Sequence, residues 1–310
     1  MSSPAPESTR PDPSRRLSPT VLAALRTRGY LPDGDPFATE TPDRTTLPLI
    51  SASGERFVAK LFSAGDAESC WKNMLQVWDS SFGKSRQPPG LPRPVEYVGG
   101  IDALIVERLP GRVLLELGEP DPNAIEGAMQ LAAGLHESDA QPARRRTADR
   151  ILRSLRRKAE RVSAIAPALA PPIRDVLEAL ESVGAQDGEL VPCHGDFSPR
   201  NVLVGPERCA LIDWDRFQLA DPARDVAHFG AWCWVERARR GEPRSWVVLE
   251  RAVSAYEALR PETRLRERLG FHVAAALVRI ADDLVLLCPE ESRLVPLLAE
   301  EALRRLEETG

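Results

Sequence analysis

The chain has 310 residues, of which 43% are hydrophobic, and a net charge of -5 at pH 7. A chain of this length buries enough surface to fold without disulfides or a structural metal, and its five cysteines form no C-x-x-C pair, which argues against a disulfide framework or a zinc ribbon. The negative net charge argues against a nucleic-acid-binding protein, because such proteins carry an excess of basic residues.

Two segments, one polar and one apolar, indicate whether the chain is secreted or inserted in a membrane. Residues 1–16 are rich in proline, serine and charge and lack the apolar core of a secretory signal, so we expect a disordered leader. The most apolar later run, 271–288, is interrupted by Arg279, Asp282 and Asp283, whereas a membrane span needs about 20 apolar residues. We therefore expect a protein that binds neither membrane nor nucleic acid. The cysteine pattern favours the reducing cytoplasm, and we expect a monomer or a homodimer.

Residues 17–108 have the pattern of a β-rich lobe. A short helix begins near Ser18, where a capping residue precedes a proline. Two pairs of apolar segments follow, and in each pair a glycine-containing turn joins the two segments, as in a β-hairpin. Between the two hairpins, residues that recur three and four positions apart predict a helix. The predicted strands cover 46–50, 56–62, 95–98 and 103–109, and the helix covers 66–78.

Residues 109–310 have mainly helical periodicity. Ile125, Met129, Ala132 and Leu135, for example, recur at spacings of three and four and therefore share one helix face. We expect an α+β protein with a small antiparallel β-sheet lobe, which also contains one helix, at 17–108. A larger, mainly helical lobe follows at 109–310.

One hairpin interrupts the helices of the second lobe. Two apolar runs of strand length, 201–204 and 209–212, are separated by the turn-like segment 205–208. Folding back at this turn brings Asn201 and Asp213, at the two outer ends, beside each other.

The residues at the ends of this hairpin are those that phosphoryl transfer requires. The reaction needs magnesium between phosphates, a positioned hydroxyl and little covalent help from the protein. Magnesium prefers oxygen ligands, which the amide of Asn201 and the carboxylate of Asp213 can supply. Asp196, five residues ahead of Asn201, is placed to accept a hydrogen bond from a substrate hydroxyl and orient it toward the γ-phosphate.

Three segments of the second lobe resemble one family. HGDFSPRN at 194–201 has the H-x-D-x-x-x-x-N spacing of the kinase catalytic loop. Residues 212–215 resemble the metal-binding strand end, and 221–227 are similar to the D-P-x-x-D-h-A stretch (h, apolar) of the aminoglycoside phosphotransferases and the related choline kinases. Gly195 and Ser198, in place of arginine and lysine, favour this branch over the protein kinases.

The resemblance implies a bilobal, protein kinase-like fold and an enzyme that uses ATP and Mg²⁺. In such an enzyme Asp196 is the catalytic carboxylate, and Asn201 and Asp213 are the metal ligands. The γ-phosphate passes to a hydroxyl of a small molecule, which is an aminoglycoside or other antibiotic, or a metabolite alcohol. Nothing beyond Asp225 is diagnostic of the acceptor.

The first lobe adds a nucleotide site to the resemblance. Residues 57–60, Phe-Val-Ala-Lys, resemble the V-A-I-K strand, which implies that Lys60 contacts ATP phosphates and that Glu68 is its ion-pair partner. Residues 103–111 resemble the hinge, where backbone groups around Glu107 and Leu109 would bind adenine. A glycine-rich loop over the phosphates is absent from 36–48.

Several other polar residues are expected to support the structure. We expect His194 to hold the backbone through its ring and Asp225 to anchor the catalytic loop by hydrogen bonds. His228 lies on a predicted helix and is interpreted as a packing residue. The acidic residues near the end of the chain, including Asp282, are interpreted as a solvated face rather than contacts for a cationic substrate.

Two alternatives remain at this stage. A pseudokinase, which keeps the fold as a binding or regulatory module without turnover, is favoured by the missing glycine-rich loop. It is disfavoured by the presence of the carboxylate, both metal ligands and the lysine. A metal-dependent hydrolase built on His194, Asp196, Asp213 and His228 is disfavoured because the histidines have no familiar ligand spacing.

Overall fold

The computed structural model describes residues 18–37, 44–63, 65–85, 88–118, 120–184, 188–206 and 208–308. The predicted leader lies outside these residues, as do six residues of the glycine-free segment, 38–43. The chain divides into two compact units. The first comprises residues up to 71 and 94–108, and the second comprises 72–93 and 109–310.

The first unit is built on an antiparallel sheet of five strands in the order β1-β2-β3-β5-β4. Both predicted hairpins are confirmed, with Leu47 opposite Ala59 in the first and Val98 opposite Ala103 in the second. The strands are β1 Tyr30–Pro32, β2 Arg44–Ser51, β3 Arg56–Phe62, β4 Pro94–Val98 and β5 Ala103–Glu107, and the helix α1 is Pro19–Thr27.

The side-chain alternation of β3 sorts its residues between the two faces of this sheet. Phe57, Ala59 and Leu61 are buried in the core that the sheet forms with Leu25 of α1. Because successive strand residues point to opposite faces, Lys60 lies on the other face. There its ammonium group lies 5.2 Å from the centre of the Phe62 ring. The helix predicted at 66–78 is observed as α2, Ala67–Asp79.

The second unit is mainly helical. Asp121 and Thr147 cap α4 and α5, each accepting a hydrogen bond from a backbone N–H three residues on, as N-cap residues do. The helices are α3 Ser81–Lys84, α4 Pro122–His136, α5 Ala148–Ile165, α6 Ala170–Val183, α7 Ala223–Arg239, α8 Val247–Leu259, α9 Arg266–Leu287 and α10 Val295–Glu307. The long α9 packs against α5, α7 and α10, so it is the centre of this unit.

Two small sheets of the second unit contain the strands that precede and follow the predicted catalytic loop. Their orders are β10-β9-β6 and β7-β11-β8. The strands are β6 Arg112–Val113, β7 Arg145–Arg146, β8 Val191–Cys193, β9 Val202–Val204, β10 Cys209–Leu211 and β11 Gln218–Ala220. With a β-rich first unit and a helical second unit, the predicted α+β class is confirmed. Within the described ranges, no helix is both long and apolar enough to cross a membrane.

Candidate active site

The loop that follows β8 is held in place by a buried carboxylate. Asp225, in the first turn of α7, is only 1% exposed and accepts hydrogen bonds from the backbone N–H groups of His194 (2.7 Å) and Gly195 (3.0 Å). His136 of α4 contacts the same carboxylate through Nε2, at 3.3 Å. The predicted anchoring role of Asp225 is confirmed.

The first two residues of the loop, His194 and Gly195, are constrained by a side-chain contact and by the backbone conformation. His194 contacts the backbone oxygen of Ile212 through Nε2 at 2.9 Å, which confirms its predicted structural role. Gly195 has a φ of +77°, and a Cβ atom there would lie 2.2 Å from the backbone oxygen of Arg216. Only glycine fits both the backbone angle and the space.

The β9–β10 hairpin places Asn201 and Asp213 side by side, as predicted. Ile212, the residue before Asp213, donates its N–H to the backbone oxygen of Asn201 at 3.0 Å. The Asn201 side chain donates from Nδ2 to the backbone oxygen of Asp196 at 2.9 Å, which leaves its Oδ1 as an acceptor. Asp213 has a φ of +69°, a conformation that is uncommon for a residue other than glycine and that clusters at functional sites.

Asp196 is surrounded by groups that favour its ionised form. Arg279 of α9 forms an ion pair with Oδ1 of Asp196 and donates to the backbone oxygen of Gly195 at 3.0 Å. His228 of α7 contacts the same Oδ1 through Nε2 at 3.1 Å. Burial would raise the pKa of Asp196, but Arg279 and His228 outweigh it and hold the pKa well below its usual value of 3.8. The carboxylate is therefore ionised at neutral pH.

Both of these contacts were missed by the sequence interpretation. The pattern of each helix predicts only that His228 packs within the fold and that Arg279 interrupts an apolar run. A buried arginine within an apolar helix is itself a signal, because arginine is almost never buried without a partner. Arg279 is 6% exposed. The spacing along the chain gave no indication that its partner is Asp196.

The interpretation of Asp282 as part of a solvated acidic face is wrong. Its side chain is 1% exposed and forms ion pairs with Lys158 and Arg161 of α5. These pairs join α5 to α9. They form because the buried Asp282 carboxylate faces two cations on the neighbouring helix.

His228 is expected to make stability fall in mild acid. Burial and the charge of Arg279 lower the pKa of His228 from 6.5 to about 4. The unfolded chain therefore binds a proton between these two values that the folded chain does not, so stability falls as the pH drops through this window. The loss approaches about 3 kcal/mol near pH 4.

Urea denaturation of the wild type and of His228→Gln at several pH values between 7 and 4 checks this expectation. We expect the free energy of unfolding to fall less steeply in the variant. Equal slopes for the two proteins would show that His228 does not cause the loss.

Three of the predicted nucleotide-binding residues lie in the first unit and one lies in the second. Lys60 is in β3, Glu68 is exposed in the first turn of α2, and Glu107 is the last residue of β5, opposite Phe57. Leu109 is the first residue of the second unit after that strand. The nucleotide roles of all four stay predictions.

A second group of metal-ligating side chains is not suited to a metal. His136, Cys193 and Asp225 have ligand atoms within 4.8 Å of one another, and all three residues are buried. The Asp225 carboxylate is already used by the catalytic loop. Burial raises the pKa of Cys193 well above its usual value, so the thiolate that a metal needs is disfavoured.

The comparison with protein families finds a match over more than half of the chain. The profile described as "Phosphotransferase enzyme family" matches residues 49–265. This range includes the hairpin, the catalytic loop and Asp225. No curated protein matches the sequence.

Solved structures with low sequence identity share the fold. A choline/ethanolamine kinase family protein from Mesorhizobium loti is 15% identical, with a TM-score of 0.58 over 94% of this chain and 92% of that one. The macrolide 2'-phosphotransferase MphH from Brachybacterium faecium is 21% identical (TM-score 0.55; 93% and 97%).

A structure of LicA in complex with AMP is 12% identical, with a TM-score of 0.61 and coverage of 94% and 98%. LicA is a choline kinase from Streptococcus pneumoniae. At these identities the structures establish the fold, and the predicted kinase-like fold is confirmed.

Proposed function

Because this chain belongs to the phosphotransferase enzyme family, we propose that it transfers the γ-phosphate of ATP, with Mg²⁺, to a hydroxyl group of a small molecule. In this reaction a bond forms between the acceptor oxygen and the γ-phosphorus. The bond from that phosphorus to its bridging oxygen breaks, ADP leaves with the electron pair, and the hydroxyl proton is released.

The observation that carries the proposal is the arrangement of three side chains around one hairpin. The β9–β10 pairing puts Asn201 beside Asp213, and the hydrogen bond from Asn201 Nδ2 ties Asp196 to the same point. The acceptor hydroxyl donates to the Asp196 carboxylate, which orients its oxygen toward the phosphate. A carboxylate with a low pKa is a weak base, so we propose that Asp196 orients the hydroxyl more than it removes the proton early, which suits a loose transition state.

The residues at the hairpin ends fit magnesium. Asn201 Oδ1 is left as an acceptor by the bond that its Nδ2 donates, and Asp213 adds a carboxylate, so both ligands are the hard oxygens that Mg²⁺ prefers. Bound there, the ion would neutralise charge that develops on the phosphates. In the first unit, Lys60 would contact phosphate oxygens with Glu68 as its ion-pair partner. Backbone groups at Glu107 and Leu109 would bind the adenine.

Nucleotide binding by Asp213→Ala tests the metal site. In the wild type we expect a non-hydrolysable ATP analogue to raise the melting temperature only when Mg²⁺ is present, because a ligand at 100 times its Kd stabilises the folded state by about 2.7 kcal/mol. In Asp213→Ala we expect most of this shift to disappear. Thermal denaturation with and without Mg²⁺ measures both.

The exposed Asp175 of α6 provides a matched control, since Asp175→Ala removes a carboxylate of the same kind at a distant surface. It should keep the full shift. A wild type that shows no shift at millimolar nucleotide would contradict the proposal and favour a pseudokinase. A shift that persists undiminished in Asp213→Ala would remove Asp213 from the metal site.

A further inference from the structure

A cavity in the second unit lies beside the proposed catalytic carboxylate, among α5, α7 and α9. Its volume is about 50 Å³, several times the roughly 10–15 Å³ that holds one water molecule. Arg279 and His228 line it, and both contact Oδ1 of Asp196. A group bound in this cavity would therefore be one side chain away from Asp196.

The wall of this cavity is cationic. None of the described residues that line it has a carboxylate, while two are histidines and five carry a full positive charge. The five are Arg146, Lys158, Arg216, Arg224 and Arg279.

Neighbouring carboxylates neutralise only part of this charge. Lys158 pairs with Asp282 and lies 3.8 Å from Asp283, and Arg279 pairs with Asp196. The other three arginines form no ion pair within the part of the chain that the structure describes, although the charge of the Asp196 carboxylate raises the pKa of Arg216.

Some of the donors are also unused. Among the described residues, the Nε atoms of Arg224 and Arg279 are buried and have no hydrogen-bond partner. Arg279 is more than nine-tenths buried. The cavity thus offers buried N–H donors together with positive charge, which are the two features that an oxyanion needs.

Mutual repulsion contributes to a lowered pKa for two of these guanidinium groups, those of Arg224 and Arg146. Burial and the charge of Arg279 lower the pKa of Arg224 to about 9. Burial and the charges of Arg279 and Arg216 also lower the pKa of Arg146. A bound anion would relieve this repulsion, whereas a cation would add to it.

We propose that the acceptor is an alcohol that also carries a phosphate or carboxylate group, which the arginines of this cavity bind while its hydroxyl lies at Asp196. This inference depends on the phosphotransferase activity proposed above. A planar guanidinium group binds two oxygens of a carboxylate or phosphate through paired N–H donors. A polycationic acceptor such as an aminoglycoside would meet like charge here, so the anionic class of metabolite alcohols is favoured over that antibiotic class.

Titration with inorganic phosphate tests the cavity without any turnover. We expect calorimetry at constant ionic strength to show binding to the wild type and at least about tenfold weaker binding to the double variant Arg146→Gln/Arg216→Gln, because each lost charge-assisted hydrogen bond lowers affinity by about this factor. The exposed Arg174 of α6 is the matched control, and Arg174→Gln should bind as the wild type does. Equal affinity in all three proteins overturns the inference.

A repeat of the titration with saturating ATP analogue and Mg²⁺ separates the acceptor from the nucleotide. Phosphate that still binds supports an acceptor cavity. Phosphate that is displaced shows that the cavity holds a nucleotide phosphate, which overturns the inference and leaves the kinase proposal intact.

Turnover with matched alcohols identifies the anion. Each neutral sugar is compared with its sugar phosphate and with its sugar acid, and each amino alcohol with its hydroxy acid. We expect at least about tenfold higher kcat/KM for one anionic series, lost through KM in the double variant. Equal or better use of neutral or cationic acceptors overturns the inference but supports the kinase proposal. Failure of Mg²⁺-dependent nucleotide binding contradicts the kinase proposal and, with it, the assignment of an acceptor, while the phosphate titration still reports whether the cavity binds an anion.

Discussion

Asp196→Asn is expected to lower kcat/KM by about 10²- to 10⁴-fold, the range that positioned acid–base groups contribute. The amide keeps the shape of the side chain and its oxygen can still accept from Arg279, but it has lost the charge that aligns the acceptor hydroxyl. Because transfer through a loose transition state depends on positioning, the rate should fall while the reaction stays the same.

Two measurements accompany the rate assay. The shift of melting temperature with ATP analogue and Mg²⁺ should be retained in Asp196→Asn, since Asn201 and Asp213 are unchanged. Asp175→Asn, on an exposed helix surface, should have wild-type rates. Unchanged turnover in Asp196→Asn would remove this residue from its proposed role, and loss of nucleotide binding would show that it acts through the fold of the loop.

Asp225→Ala is expected to destabilise the second unit by about 3–5 kcal/mol, the usual cost of breaking a buried, hydrogen-bonded charge network by removing one partner. The carboxylate accepts two backbone N–H groups of the catalytic loop, and His136 contacts it as well. Without it, those two donors are buried with no acceptor. Catalytic activity should fall too, because the loop that carries Asp196 loses its anchor.

Urea denaturation of Asp225→Ala and Asp225→Asn separates charge from shape. The asparagine has one acceptor oxygen for two donors, so we expect an intermediate loss of stability. Asp175→Ala should leave the free energy of unfolding within about 0.5 kcal/mol of the wild type, as is usual for surface substitutions. A loss below about 1 kcal/mol in Asp225→Ala would mean that water replaces the carboxylate as acceptor.

Local sequence spacing determined much of the fold and the core of the candidate site. Residues 56–62 alternate between the two faces of the sheet, and the antiparallel pairing of β9 with β10 returns the chain so that Asn201 and Asp213 lie at neighbouring strand ends. These features depend on residues close in sequence, where the backbone geometry of a strand or a tight turn fixes which side chains are neighbours. The family motif added the anchoring role of Asp225, which hydrogen bonds confirm.

Only the tertiary structure decided what surrounds Asp196 beyond its own loop. Arg279 is 83 residues away in sequence and His228 is 32 residues away, and each was interpreted from its own helix alone. The cationic cavity likewise gathers arginines from β7, α7, α9 and the turn at Arg216. Helical periodicity indicates which face of a helix is buried, but it does not specify which side chain of another element that face meets. That depends on how α5, α7 and α9 pack against one another.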